Sequence, residues 1–370
     1  MSRIMRGVRS FSTAASALLA DASADATRSA RQPLAFQIFR DVPELRQLRR
    51  QIIRNDRTLG FVPTMGALHE GHLALIREAA KENTDVFVSI YVNPTQFGVN
   101  EDLSSYPRTW DSDMAKLEKL NEELETSSAG TGRITAIFAP TSKVMYPTLP
   151  PSSEIDGHGS FVTITPLARK LEGVSRPVFF RGVATVCMKL FNATSPDRVY
   201  FGQKDVQQTV IIKRMVKDFL MDTEVRIVPT ARECDGLALS SRNVYLGSRR
   251  RNIGLTLYKA LTAGANAYQA GKSSRDDILG AARSLAECVL AEQCTLAPNL
   301  RALYEVDYIS LADPESLEEL DCVDPKRGAV LSTAFKMAPL EETNPGEDCG
   351  LGDGKVPVRL IDNFILQPRE

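Results

Sequence analysis

From Phe36 onward, short β-branched or apolar runs alternate with stretches in which apolar residues recur every three or four positions. Leu59–Pro63 reads as a strand. It leads through a glycine turn into a helix over His69–Lys81, where Leu73, Leu75, Ile76, Ala79 and Ala80 fall at helical spacing. Asp85–Val92 is a second strand that stops near Asn93-Pro94, since proline cannot continue a ladder. A charged helix over Asp111–Leu124, a strand at Ala136–Pro140, an apolar helix over Gly182–Ala193 and a strand at Arg198–Phe201 follow. A helix over Val206–Leu220 and a strand at Glu224–Pro229 complete the series. Alternation of this kind predicts βαβ units, a parallel sheet, and ligands at the carboxyl ends of its strands.

Past Ala231 the order of elements changes. Asn252–Gly271 and Arg275–Ala297 read as longer helices, the second stopped by Pro298. Three strand-like pieces then follow in a row: Leu303–Leu311, Ala329–Thr333 and Val358–Leu366. Helices followed by consecutive strands predict a smaller α+β domain. Thr126–Gly132, Leu149–Gly159 and Glu341–Lys355, rich in Gly, Ser, Pro or Asp, read as loop insertions. The expected organisation is a leader over residues 1–35, a parallel-sheet domain over 36–230 and a C-terminal domain over 231–370.

Composition narrows the function classes. The chain has 370 residues and balances 45 basic against 46 acidic side chains without a long basic block, which disfavours a broad nucleic-acid footprint. No apolar run reaches the roughly 18 residues of a spanning helix, so no membrane partner is expected. The six cysteines are scattered without C-x-x-C pairs, a pattern of reduced intracellular thiols with no zinc site. The leader carries Arg3, Arg6 and Arg9 and no acid before Asp21. It resembles a mitochondrial transit peptide, with Arg9-Ser10-Phe11-Ser12 as a cleavage context, against the alternative of a disordered tail on a cytoplasmic protein.

The candidate chemistry lies just after the strands. His69 and His72, two of only three histidines, stand three residues apart at a helix start and share one face. The N–H groups and dipole of that helix end suit a phosphate. A zinc reading would need histidines at i and i+4 and a third ligand, and Gly71 is a poor residue inside such a helix. Two ordinary surface histidines are the plain alternative. Gly202, Gln203, Lys204 and Asp205 end the next strand, with Gln208 a turn further on, and lysine there can neutralise phosphate. Leu239, Ser240, Ser241 and Arg242 could close over a triphosphate. Gln96 follows the Asp85 strand as a substrate anchor. Gly350–Lys355 looks like part of a phosphate loop but follows no clear strand and opens no helix, so it reads as a mobile glycine-rich loop.

Taken in order, Val62–His72, Val92–Phe97, Phe201–Asp205 and Leu239–Asn243 resemble the pantothenate synthetase (pantoate–β-alanine ligase) family. The likeness covers nearly everything from residue 36 to 368, including Tyr106–Thr109 and Arg359–Asn363, and the leader and insertions resemble those of a eukaryotic, fungal-like member. The resemblance implies an α/β fold: a Rossmann-like nucleotidyltransferase domain of the H-x-G-H type with a smaller C-terminal α+β lid. It implies that ATP and pantoate form pantoyl-adenylate, which β-alanine opens to pantothenate and AMP, with Mg2+ accompanying ATP and a homodimer as the assembly. By the same resemblance Met65, Gly66, Ala67, Leu68, His69, Glu70, Gly71 and His72 bind ATP, His69 and His72 bracket its phosphates, and His72 is the proton donor. Gly202, Gln203, Lys204 and Asp205 line the nucleotide, with Lys204 on phosphate and Asp205 near ribose or metal. Ala231 touches adenine through its backbone, and Leu239, Ser240, Ser241 and Arg242 close on the triphosphate. The catalytic set is then His72, His69, Lys204 and Arg242. Gln96 and Gln208 hold pantoate, and Gln96 also borders the β-alanine site. Phe179 stands where the family usually has histidine and is left out of the site. A related nucleotidyltransferase, or an inactive binding homologue, are the rival readings.

Overall fold

The computed structural model describes residues 35–98, 103, 106–126 and 132–369. The leader before Ala35 and residues 127–131 of the Thr126–Gly132 stretch lie outside the described residues. Phe36–Glu370 forms one compact unit.

Six parallel strands make the first sheet: β1 Gln37–Phe39, β2 Leu59–Thr64, β3 Asp85–Ile90, β4 Arg133–Phe138, β5 Arg198–Gly202 and β6 Glu224–Val228, in the order β1-β4-β3-β2-β5-β6. The central strands are apolar on both faces, as a sheet covered by helices on each side requires. Alternation sends Phe61, Phe87 and Phe138 into one core and Val62, Val88 and Ile137 into another. The helices are α1 Val42–Arg54, α2 Glu70–Glu82, α3 Trp110–Thr126, the single turns α4 Ser142–Met145 and α5 Glu172–Ser175, then α6 Phe179–Thr194 and α7 Val206–Asp218. The first core gathers residues of α1, α6 and α7, the second those of α2 and α3. From β2 the chain builds outward through β3 and β4, then returns to add β5 on the other side of β2. That reversal is the switch point of a Rossmann-like sheet, where a crevice opens. Pro63 helps to open it: β2 pairs with β3 as far as Thr64, but with β5 only at Gly60 and Phe61, and proline has no N–H to extend the second ladder.

The C-terminal part holds α8 Gly247–Gly254, α9 Thr256–Gln269 and α10 Arg275–Thr295. They accompany a three-stranded antiparallel sheet of β7 Tyr304–Ala312, β8 Ala329–Met337 and β9 Val358–Leu366. Its core is its own, drawn from residues between Leu246 and Leu366.

The main departures from the expected elements are these. β1 and α1 carry no counterpart in the sequence reading, although Asp41 caps α1 by accepting from Glu44 N and Pro43 sits in its first turn. The helix expected over Asn252–Gly271 is broken at Leu255 into α8 and α9, and Gly254 lies so near Leu360 that a Cβ there would come within 2.9 Å of it. Gly350–Lys355 does not act as a phosphate loop. Leu351 N donates to Val244 O, Asp353 N to Gly350 O and Lys355 N to Gly352 O, so these amides are not offered to an anion. Arg250, fully buried, donates to Val356 O at 2.6 Å and to Cys349 O at 3.4 Å, stitching the two ends of this loop to α8. Among the described residues no helix is long and apolar enough to cross a membrane.

Candidate active site

A cleft of about 230 Å³ lies where β2 and β5 part, and the loops following β2, β3, β5 and β6 supply its walls. On the β2 side, His69 occupies the N-cap of α2. Its Nδ1 accepts from Gly71 N at 3.1 Å, and His72 Nδ1 accepts in turn from His69 N at 3.3 Å. A ring nitrogen that accepts carries no proton, so each neutral imidazole holds its proton on Nε2. The two rings lie 4.1 Å apart between centroids and both border the cleft. Burial, with Lys204 and Asp205 acting in opposite senses, lowers the pKa of His69 to about 4. Burial, with His69 and then Lys204 adding to it, lowers that of His72 to about 3. Near neutral pH these side chains are uncharged hydrogen-bond donors.

This adds a second source of anion affinity at the helix start. Three of the amides at the start of α2 are already taken: Gly71 N by His69 Nδ1, and His72 N and Leu73 N by His69 O. The imidazoles occupy the helix end and can present their own N–H groups as well. Gly71 is required here because a Cβ would sit 2.8 Å from His69 Cε1.

The remaining members of the Met65–His72 run divide. Met65 borders the cleft. Gly66, Ala67 and Leu68 do not line it; the amides of Ala67 and Leu68 are held by Asp113, which lies behind them on α3. Glu70 turns outward into an ion pair with Arg77.

Opposite stands the turn after β5. Gly202, Lys204 and Asp205 border the cleft, with Lys204 Nζ 3.2 Å from the Asp205 carboxylate. Gln203 does not line it: its side chain meets Asn363 on β9, whose Nδ2 donates to the carbonyls of Gln203 and Lys204 at 2.9 and 2.8 Å. Next to Asn363, buried Asp362 receives both arms of Arg232, the nearer at 2.5 Å. The antiparallel sheet therefore holds the lysine turn in place. Ala231 lies just past β6, with its Cβ facing Gly71 across the cleft, and its carbonyl accepts from Leu239 N. Leu239, Ser240, Ser241 and Arg242 form the rim. Ser240 Oγ accepts from Arg242 N, Ser241 bonds the hydroxyl of Tyr106, and Arg242 is exposed with no carboxylate partner among the described residues.

The far end of the cleft is built differently. Gln96 is buried, and its Oε1 accepts from Asn93 Nδ2 at 2.9 Å, which leaves its amide N–H groups to donate to a ligand. Asn93 is fixed by Tyr146 at 2.7 Å and by the Gly182 carbonyl. Gly182 must lack a Cβ, since one would fall 2.2 Å from Thr95 O. Of the paired glutamines on α7, Gln208 borders the cleft. Gln207 is structural, donating to the carbonyls of Leu167 and Lys170.

Sequence reasoning missed several groups. Phe179, which the sequence reading leaves out of the site, lines the cleft, its ring 3.7 Å beneath the Arg176 guanidinium. Tyr91, Val183, Val186, Leu190 and Phe201 give the cleft an apolar side. The helical apolar pattern of Gly182–Ala193 signalled burial there, but not which face would meet a ligand. Among the described residues no group of three or more His, Cys, Asp or Glu side chains is placed to hold a metal ion by itself.

Comparison with known proteins agrees with this geometry. The family model described as Pantoate-beta-alanine ligase matches residues 37–365. The chain is 41% identical over 331 residues to a pantothenate synthetase of Herpetosiphon aurantiacus, covering 90% of this chain and all of that one. It is 39% identical over 342 residues to the pantoate–β-alanine ligase of Saccharomyces cerevisiae, again over 90% of this chain and all of the yeast protein. Among solved structures, it matches the pantoate-beta-alanine ligase of Francisella tularensis, complexed with beta-gamma ATP and beta-alanine. That match has a TM-score of 0.61 and 31% identity, over 90% of this chain and 98% of the other. The chain belongs to the pantoate–β-alanine ligase family.

Proposed function

We propose that this chain condenses (R)-pantoate with β-alanine to give pantothenate, with ATP converted to AMP and pyrophosphate through a pantoyl-adenylate. One observation carries the reading. Two imidazoles locked as Nε2–H tautomers, together with Lys204, border one end of a cleft whose other end presents Gln96 and Gln208. The first end suits a triphosphate, the second a small hydroxy acid.

In the first step a pantoate carboxylate oxygen bonds to the α-phosphorus and the bond to the β-phosphate oxygen breaks. No protein nucleophile is needed, so the residues act by positioning and by stabilising charge. His69 and His72 donate to phosphate oxygens as charge develops. Because the pKa of His72 lies near 3, it serves as a hydrogen-bond donor, a narrower role than the proton donor implied by resemblance. Lys204 neutralises phosphate, and Ser240, Ser241 and Arg242 close over the departing pyrophosphate. Gln96 and Gln208 hold the pantoate hydroxyls and carboxylate, with Phe179 and Val183 against its apolar part. In the second step the β-alanine nitrogen bonds to the acyl carbon, the bond to AMP breaks, and the ammonium protons pass to solvent. Mg2+ fits this site as a companion of the triphosphate, since Asp205 alone stands at the phosphate end; when bound it neutralises phosphate charge.

The division into a 36–230 catalytic domain and a 231–370 lid belongs to the same reading, supported by the separate core of the C-terminal part. So do a homodimeric assembly, testable by sedimentation, and a fungal-like member targeted to the mitochondrial matrix by residues 1–35. A fluorescent fusion of that leader that stays in the cytoplasm would remove the targeting.

The deciding experiment is pantoate-dependent exchange of pyrophosphate into ATP. Exchange with pantoate, followed by pantothenate formation on adding β-alanine, is expected. Exchange only with a different acceptor would assign another nucleotidyltransferase, and no exchange with any acceptor would favour an inactive homologue.

A further inference from the structure

Helix α3 grips the turn between β2 and α2 at two points one helical turn apart. The carboxylate of Asp113, 1% exposed, accepts from Ala67 N at 2.9 Å and from Leu68 N at 2.8 Å, with Thr109 Oγ1 on the same oxygen as Ala67 at 3.0 Å. One turn later Lys116 Nζ donates to the Leu68 carbonyl at 2.6 Å. The gripped segment takes a course that backbones resist: φ is +82° at Gly66 and +50° at Ala67, a residue with a Cβ. The next residue is His69, whose amide donates to His72 Nδ1 while its own Nδ1 receives Gly71 N. The orientation of the Leu68–His69 peptide therefore decides where the His69 amide points, and with it how both rings are bonded.

We propose that Asp113 and Lys116 are positioning residues that hold the Gly66–Leu68 turn in its left-handed course and so fix His69 and His72 with Nε2–H toward the cleft. What those donors act on rests on the ATP-dependent reading above; the clamp itself belongs to the free protein. A cap for its own helix does not account for Asp113. Its two shortest bonds reach 45 and 46 residues back along the chain, and Lys116 complements them by taking the Leu68 carbonyl that follows.

The chemistry of the clamp makes it testable. A carboxylate offers acceptors only, one oxygen to each amide. Asp113→Asn keeps the volume but turns a donor toward an N–H, leaving one amide unpaired and repelled. The chain has only three histidines, so long-range ¹H–¹⁵N spectra of the imidazoles can be read individually. The full chain is expected to show His69 and His72 as Nε2–H tautomers that stay neutral down to about pH 4 and about pH 3. In Asp113→Asn those two signals should turn to mixed tautomers while that of His158 stays. The turnover number for pyrophosphate exchange should fall about 10²-fold, the scale of a 1 Å misplacement, while KM for pantoate stays near its original value.

Lys116→Met should shift the same signals in the same sense by a smaller amount. It also removes a cation that faces both rings with Lys204, while Asp205 and Glu70 oppose it at His69, so both pKa values should rise. Lys116→Met carries the test if Asp113→Asn does not fold. Variants that lower Tm but leave the tautomers and the turnover number unchanged would overturn the proposal. If tautomers shift in a protein that shows no exchange even before mutation, the clamp stands and the functional reading falls.

Discussion

On the β2 wall of the cleft the polar groups that orient the histidines have partners inside the protein. Asp113 holds two amides, the two rings together cap the start of α2, and Lys116 takes the Leu68 carbonyl. On the rim formed by Ser240, Ser241 and Arg242 the bonds are few, a serine turn and one tyrosine hydroxyl, and the guanidinium is exposed. One wall is organised before any ligand arrives; the other consists of groups that gain partners from a ligand. Fixed donors require no reorganisation at the moment of reaction, whereas an exposed arm must be ordered and desolvated first. The β2 and β5 turns should therefore carry most of the transition-state stabilisation, and the rim should contribute chiefly to capture and closure.

That contrast can be broken by mutation, beginning with the largest effect. His72→Ala and Lys204→Ala should each lower turnover by about 10²-fold or more, the scale of removing one preorganised donor; near-normal exchange rates in both would dissolve the distinction between the walls. Arg232→Met tests the scaffold behind the β5 turn. It leaves Asp362 buried and unpaired, so unfolding by denaturant should show a loss of about 3–5 kcal/mol; a loss below about 1 kcal/mol would mean that the antiparallel sheet does not hold the lysine turn through this pair.

Arg242→Ala should act more weakly, about 10-fold, and mainly through KM for ATP, with the defect shrinking at high salt as expected of an exposed cation. An equal loss in the turnover number would move the rim into the organised part of the site. The smallest effect is in pH dependence. The histidine pKa values are lowered in the folded chain, to about 4 and about 3, against 6.5 in the unfolded one. The unfolded state binds more protons between these limits, so the stability at issue is fully present above about pH 6.5 and is lost as pH falls toward 4 and 3. His72→Asn should flatten the fall of Tm with acid over that window, and the exchange rate should show no titration near 6.5 arising from these rings.

Particular residues show how far the sequence could be read. The strand ends, observed at Thr64, Ile90, Gly202 and Val228, were legible to within two residues because apolar runs meet glycine or proline there. The polar clusters that follow them are the loops that line the cleft. α1 is marked in the sequence only by its Asp41 cap and Pro43, ahead of every motif that carries chemistry. Glu70 and Gln203 were grouped with the site by adjacency to His69 and Lys204, yet one pairs with Arg77 and the other with Asn363. Phe179 was set aside for being the wrong residue type, although its place in the wall is decided by the path of α6.

By itself, the sequence determined the alternation of strands and helices, the order of the motifs and hence the family, since these rest on local patterning and on residue identity along the chain. Only the tertiary structure decided the tautomers of His69 and His72, the grip of Asp113 and Lys116, the tie from Asn363 to the lysine turn, and which of Gln207 and Gln208 faces the cleft. Each of these depends on where a hydrogen-bond partner many residues away comes to lie, and no local pattern encodes that distance.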